Sequence, residues 1–154
     1  MFNGISGDEW RRPALRARVR LDFHRPIRKN RLFFGTPDVD KEAEAIREQQ
    51  VALLRNVPIQ GITVEDIDMA IDIYILLDEE TGREIAFAPV IVTIGADTLE
   101  DLLRFTLRDE FRKIELLEPE QFFLHRFELE RFIYRINEDQ RQFRLALERR
   151  LTAR

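Results

Sequence analysis

Residues 67–94, IDMAIDIYILLDEETGREIAFAPVIVTI, decide the fold. In the first arm Ile67, Met69, Ile71, Ile73, Ile75 and Leu77 alternate with Asp68, Ala70, Asp72 and Tyr74, the period of two that marks a strand with one buried face. Residues 78–83, four of them acidic or glycine, read as the turn of a long hairpin. The second arm is apolar on both faces, with Ile85, Phe87 and Ile91 on one and Ala86, Ala88, Val90, Val92 and Ile94 on the other. Both of its faces are therefore expected to be covered. Pro89 sits awkwardly in that arm, since a proline in a sheet belongs at an edge or a bulge.

Upstream, Leu15, Ala17, Val19, Leu21 and Phe23 alternate with Arg16, Arg18, Arg20 and Asp22, giving a first strand with one apolar and one mostly arginine face. Placed beside the first hairpin arm, its arginines would face Asp68 and Asp72. Placed beside the second arm, it would make half of a ferredoxin-like sheet. Thr36, as N-cap, then Pro37 and the acids Asp38, Asp40, Glu42 and Glu44 predict a helix start. Val39, Ala43, Ile46, Gln50, Leu53 and Val57 are its sheet-facing stripe, and Pro58 is its stop. After the hairpin, Asp97 with Glu100 predicts a second helix cap. Leu99, Leu102, Leu103, Leu107, Phe111, Ile114 and Leu117 predict that this helix continues to Pro119.

From Pro119 to Leu151 the spacing predicts one last helix, in which Leu129, Ile133, Ile136, Gln140, Phe143 and Leu147 recur at alternating steps of four and three. That is a coiled-coil seam with a single polar position. Some 33 residues of helix would be about 50 Å long, against a radius of gyration of about 15 Å for a body of this chain length. Either residues 137–139 break it, or its C-terminal half meets another chain. The expected architecture is thus α+β: a small, mostly antiparallel three-stranded sheet packed by helices over residues 1–118 (β-α-β-β-α), then a C-terminal helical extension over 119–154.

With 154 residues and 44% hydrophobic content the chain can build one ordinary core. It has no cysteine, which excludes disulfides and thiolate metal sites. Residues 1–10 lack a basic start followed by an apolar run, and the longest apolar run, 85–96, is far short of the roughly 20 residues that cross a bilayer. A soluble, cytoplasmic protein without membrane partners is expected. Charge is unevenly laid out: residues 11–31 hold nine bases against one acid, whereas residues 36–120 hold 21 acids against eight bases.

Candidate chemistry is sparse. His24 and His125 lie about a hundred residues apart, without metal-pair spacing. Ser6 is the only serine and has no nucleophile-elbow context. The six glycines form no phosphate loop. Asp68 and Asp72 are about 13 Å apart along a strand, too far to share an ion unaided. No catalytic, cofactor-binding or metal-ligating residue is assigned, and no cofactor is expected.

The arginine strand is the one anion-binding candidate: Arg16, Arg18 and Arg20, about 6.7 Å apart on one face, extended by Arg25, Arg28 and Lys29. The arginines could grip a nucleic-acid backbone, although the strand offers no stacking aromatics on that face. The interface candidates are Leu129, Phe132, Ile133, Ile136, Phe143 and Leu147. The favoured function is a non-enzymatic oligomerising interaction or structural protein, a homodimer through the last helix. A nucleic-acid-binding module is the alternative, and an enzyme with a carboxylate and arginine site at a subunit interface the more distant one.

Overall fold

Strand β4 (Glu84–Ala96), the second hairpin arm, is the central element: Val90, Val92, Ile94 and Ala96 are buried on one face, and Phe87 and Pro89 on the other. The computed structural model describes residues 14–25 and 38–153. Two compact units emerge, Met1–Pro119 and Glu120–Arg154. In the first, β1 (Leu15–Phe23), α1 (Val39–Asn56), β2 (Ile62–Asp68), β3 (Tyr74–Leu77), β4, α2 (Leu99–Thr106) and β5 (Phe111–Glu118) follow in order. The second carries α3 (Arg126–Thr152).

The sheet has five strands in the order β2-β4-β1-β5, with β3 also on β4, and all neighbours are antiparallel. The expectation of three strands is corrected, while the α+β class and antiparallel pairing hold. The first strand lies beside the second hairpin arm, Val19 opposite Val92. Counting β2 and β3 as one interrupted arm, the interleaved order is that of a split β-α-β, ferredoxin-like sheet. Such a topology hosts many functions and assigns none. One face carries the core: Leu15, Ala17, Val19, Leu21 and Phe23 of β1 and alternate residues of β4, covered by Val51 and Leu54 of α1 and Leu102 and Phe105 of α2.

The helix expected over residues 97–117 is a short helix followed by a strand. Thr98, rather than Asp97, caps α2, its Oγ1 accepting from Asp101 N at 3.1 Å. In β5 only Phe111, Ile114 and Leu117 are partly buried. Register shifts opposite Arg20/Leu21 and Arg16/Ala17 interrupt the ladder. Each bulge adds a residue and reverses side-chain parity. A doubly bulged strand thereby shows its apolar residues at intervals of three, which in sequence imitates a helix.

The first hairpin arm is likewise interrupted. Ile67 packs on the main core and Ile73 on a smaller cluster with Ala43, Ala86 and Ala88, but Ile75 and Leu77 are exposed. The hairpin closes over residues 78–83, where Asp78 N donates to Arg83 O at 2.8 Å and Gly82 takes φ +66°. Residues 69–73 between β2 and β3 leave a gap in the ladder opposite β4, and Arg47 of α1 reaches it. Its Nη1 donates to Ile71 O at 3.1 Å and approaches Met69 O and Pro89 O at 3.5 Å. In a strand the N–H and C=O of one residue point to the same neighbour. Since Pro89 O faces the gap, so does the position where proline lacks a donor, and no ladder bond is lost.

That arginine also corrects the expected stripe of α1. The buried residues are Ala43, Val51 and Leu54, with Leu53 and Val57 exposed. The inward face is centred on Arg47, whose side chain is only 11% exposed. Asp38, not Thr36, is the N-cap of the helix, its side chain accepting from Lys41 N. Thr36 and Pro37 lie outside the described residues.

Candidate functional site

On the sheet face turned away from α1 and α2, the period of two in β1 aligns Arg16, Arg18, Arg20 and Asp22. Arg16 forms a forked pair with Glu65, its Nη2 2.7 Å and its Nε 3.0 Å from the carboxylate, and its Nη1 lies 3.2 Å from Glu118. Glu65 stands at the register shift of β2, and Gly95 is the β4 residue opposite Arg16. Arg18 pairs with Glu115, directly opposite it on β5, at 3.2 Å. Arg25 pairs with Glu42 of α1 at 2.6 Å. Hydrogen bonds from Arg16 hold the Glu65 carboxyl below its ordinary range against the opposing push of burial. Glu65 in turn raises the pKa of Arg16, so the pair stays charged.

Asp22 is different in kind, being the one charged residue fully buried among those described, at 1% exposure. Arg20 donates to both of its oxygens, at 2.8 and 3.2 Å, and the Tyr74 hydroxyl donates to Oδ2 at 2.6 Å. Arg112 Nε stands 3.7 Å away. Burial, then the bond to Asp22, pushes the Tyr74 phenol above its ordinary pKa. Phe87 completes the cluster: Tyr74 stacks on it with ring centroids 5.1 Å apart, His24 tilts against it at 5.0 Å, and the Arg112 guanidinium sits 5.6 Å above its ring. One carboxylate thus ties β1, β3 and β5 together. Its ligands are the protein's own side chains, a structural knot rather than an open binding site. Nearby, a cleft of about 510 Å³ at the end of β1 is lined by His24, Arg25, Glu42, Gln49 and Glu110 among others.

Of the anion-binding candidates, Arg16, Arg18 and Arg20 share the sheet face and Arg25 lies at the end of β1, while Arg28 and Lys29 fall outside the described residues. Asp68 and Asp72 do not converge. Asp68 Oδ1 accepts from Ala70 N at 2.8 Å, an Asx turn at the interruption of the hairpin arm, and Asp72 is exposed. Asp22 and Tyr74 were expected only as strand positions, and neither Arg112 nor Arg47 was expected at a site. The available signal was an acid placed singly among nine bases, and a base centred in an apolar helical face.

In the second unit α3 runs unbroken through residues 137–139 for 27 residues, about 40 Å at 1.5 Å per residue. It begins at Arg126 rather than Pro119. His125 is its N-cap, and the Glu128 carboxylate accepts from His125 N at 2.8 Å. None of its residues is buried. Leu129, Ile133, Ile136, Phe143 and Leu147 are 46, 52, 37, 57 and 42% exposed, and Phe132 is partly exposed. At 100° per residue these six share one stripe with Gln140. Phe127, Tyr134 and Leu145 lie on the opposite side. No helix among the described residues is long and apolar enough to cross a membrane. No protein family, curated protein or solved structure matches this chain.

Proposed function

We propose that this chain is a non-enzymatic, self-associating interaction protein whose homodimer forms through α3, with the sheet domain as the body it presents. The observation that carries the reading is the long apolar seam of α3, in which every expected interface residue remains accessible. A helix that is largely polar on average gains stability by covering such a stripe. Monomeric proteins rarely leave so long a contiguous apolar surface open. A second α3 offers a matching stripe of the same length, which suits a two-fold interface. A cytoplasmic setting belongs to the same reading and rests on the cysteine-free sequence.

The arginine face supports a nucleic-acid role less well. Arg16, Arg18, Arg20 and Arg25 each already hold a carboxylate within 3.2 Å, and a phosphate would have to displace it. Light scattering on the intact chain and on an Ile136→Glu/Phe143→Glu variant tests the proposal. The expected result is a dimer for the native sequence and one-chain mass for the variant, with the sheet domain's urea transition unchanged. A native sequence that stays at one-chain mass at micromolar concentration would overturn it.

A further inference from the structure

We propose that two α3 helices meet in parallel and in register, with Gln140 opposite Gln140 of the second copy and Asp139 opposite its Arg144. This inference rests on the dimer reading above and adds the orientation. In the seam, Ile133, Gln140 and Leu147 occupy the a positions and Leu129, Ile136 and Phe143 the d positions of a heptad. A single polar residue at a sets register because it is satisfied only by its own counterpart. In an antiparallel pair, a faces d, so Gln140 would lie against Ile136 or Phe143 with its amide unpaired. In a parallel pair the two amides face each other.

The flanks agree. Position g meets position e of the next heptad across a parallel interface, five residues on, and Asp139 and Arg144 stand in that relation. Within its own helix Asp139 is poorly served: Arg135 Nε is 3.9 Å from Oδ1, and Oδ2, although covered within its own chain, accepts no hydrogen bond. Arg144 has no ion-pair partner among the described residues. The other g and e pairs that lie wholly within the helix, Phe132 with Asn137 and Ala146 with Leu151, bring no like charges together.

The absence of cysteine makes the test direct. Leu129→Cys and Leu147→Cys are made singly in the full chain and treated with a bis-maleimide too short to span the roughly 27 Å that separates the two sites along a helix. The parallel pair predicts that each variant links to itself and that a mixture yields no 129-to-147 product. Only mixed products would overturn the orientation while leaving the dimer standing. No linked product from any sample, with one-chain mass by light scattering, would remove the dimer reading and this inference with it. As an independent readout, Arg144→Glu should weaken dimerisation roughly tenfold, and Asp139→Arg/Arg144→Glu should recover most of that loss. A double variant no better than the single would count against the proposed pairing.

Discussion

Replacing Asp22 by Asn keeps the shape of the side chain and removes one charge from the most buried polar site described. The wild-type carboxylate accepts three hydrogen bonds, two from Arg20 and one from Tyr74. An amide turned to accept from Arg20 Nε must direct its NH₂ at the oxygen site shared by Arg20 Nη2 and the Tyr74 hydroxyl. The hydroxyl can rotate to accept; the guanidinium cannot. One charge-assisted bond is then lost, about 1.5–3 kcal/mol. Arg20 is about a third exposed and can be partly rehydrated, which keeps the total nearer 2–3 kcal/mol than the 3–5 of a fully buried broken pair. Tyr74→Phe should cost about 1 kcal/mol. Combined with Asp22→Asn, its effect should be less than additive, because the bond Tyr74 makes in the Asp22→Asn protein is to a neutral amide and no longer to a carboxylate. Urea unfolding followed by far-ultraviolet circular dichroism, which none of these substitutions alters directly, measures all three variants. An Asp22→Asn protein within about 0.5 kcal/mol of wild type would refute the view that this carboxylate joins the three strands.

Other perturbations probe the remaining joints. Arg47→Met preserves the aliphatic stem but leaves Ile71 O and the buried Pro89 O without their donor, and should destabilise the domain by about 2–3 kcal/mol in urea titration; an unchanged midpoint would show that water serves the gap equally well. Gly61→Ala places a methyl against the Asp101 carboxylate at a residue of φ +73°, and should cost about 1–3 kcal/mol by thermal melting. Because the Glu65 carboxyl sits below its ordinary value of 4.5 when folded, its contribution is present above that pH and lost as pH falls through the folded value. Stability measured between pH 6 and pH 3 should therefore decline less steeply in Arg16→Met than in wild type.

What the sequence could reveal followed from whether side-chain period matched backbone state. β1 alternates without interruption and β4 is a nearly continuous apolar run, so their identity and the burial of both faces of β4 were legible. In β5 two bulges turned a period of two into an apparent three, and propensity alone could not separate strand from helix. The first hairpin arm kept perfect alternation through residues 69–73 although it is not a strand there, because the gap is filled from α1 by Arg47 and leaves no local trace. The arginine face was readable as residues but not as pairs: Glu65 and Glu115 became partners of Arg16 and Arg18 only once β2 and β5 took their places. The apolar stripe of α3 was legible from Leu129 to Leu147, since a continuous helix converts spacing directly into a face, whereas the helix starts at Arg126 and not at Pro119.

Sedimentation equilibrium of the full chain over a range of micromolar concentrations tests dimerisation through α3. The expected mass approaches twice the 18.4 kDa of one chain and falls toward one chain on dilution. A mass of 18.4 kDa at every concentration would contradict it.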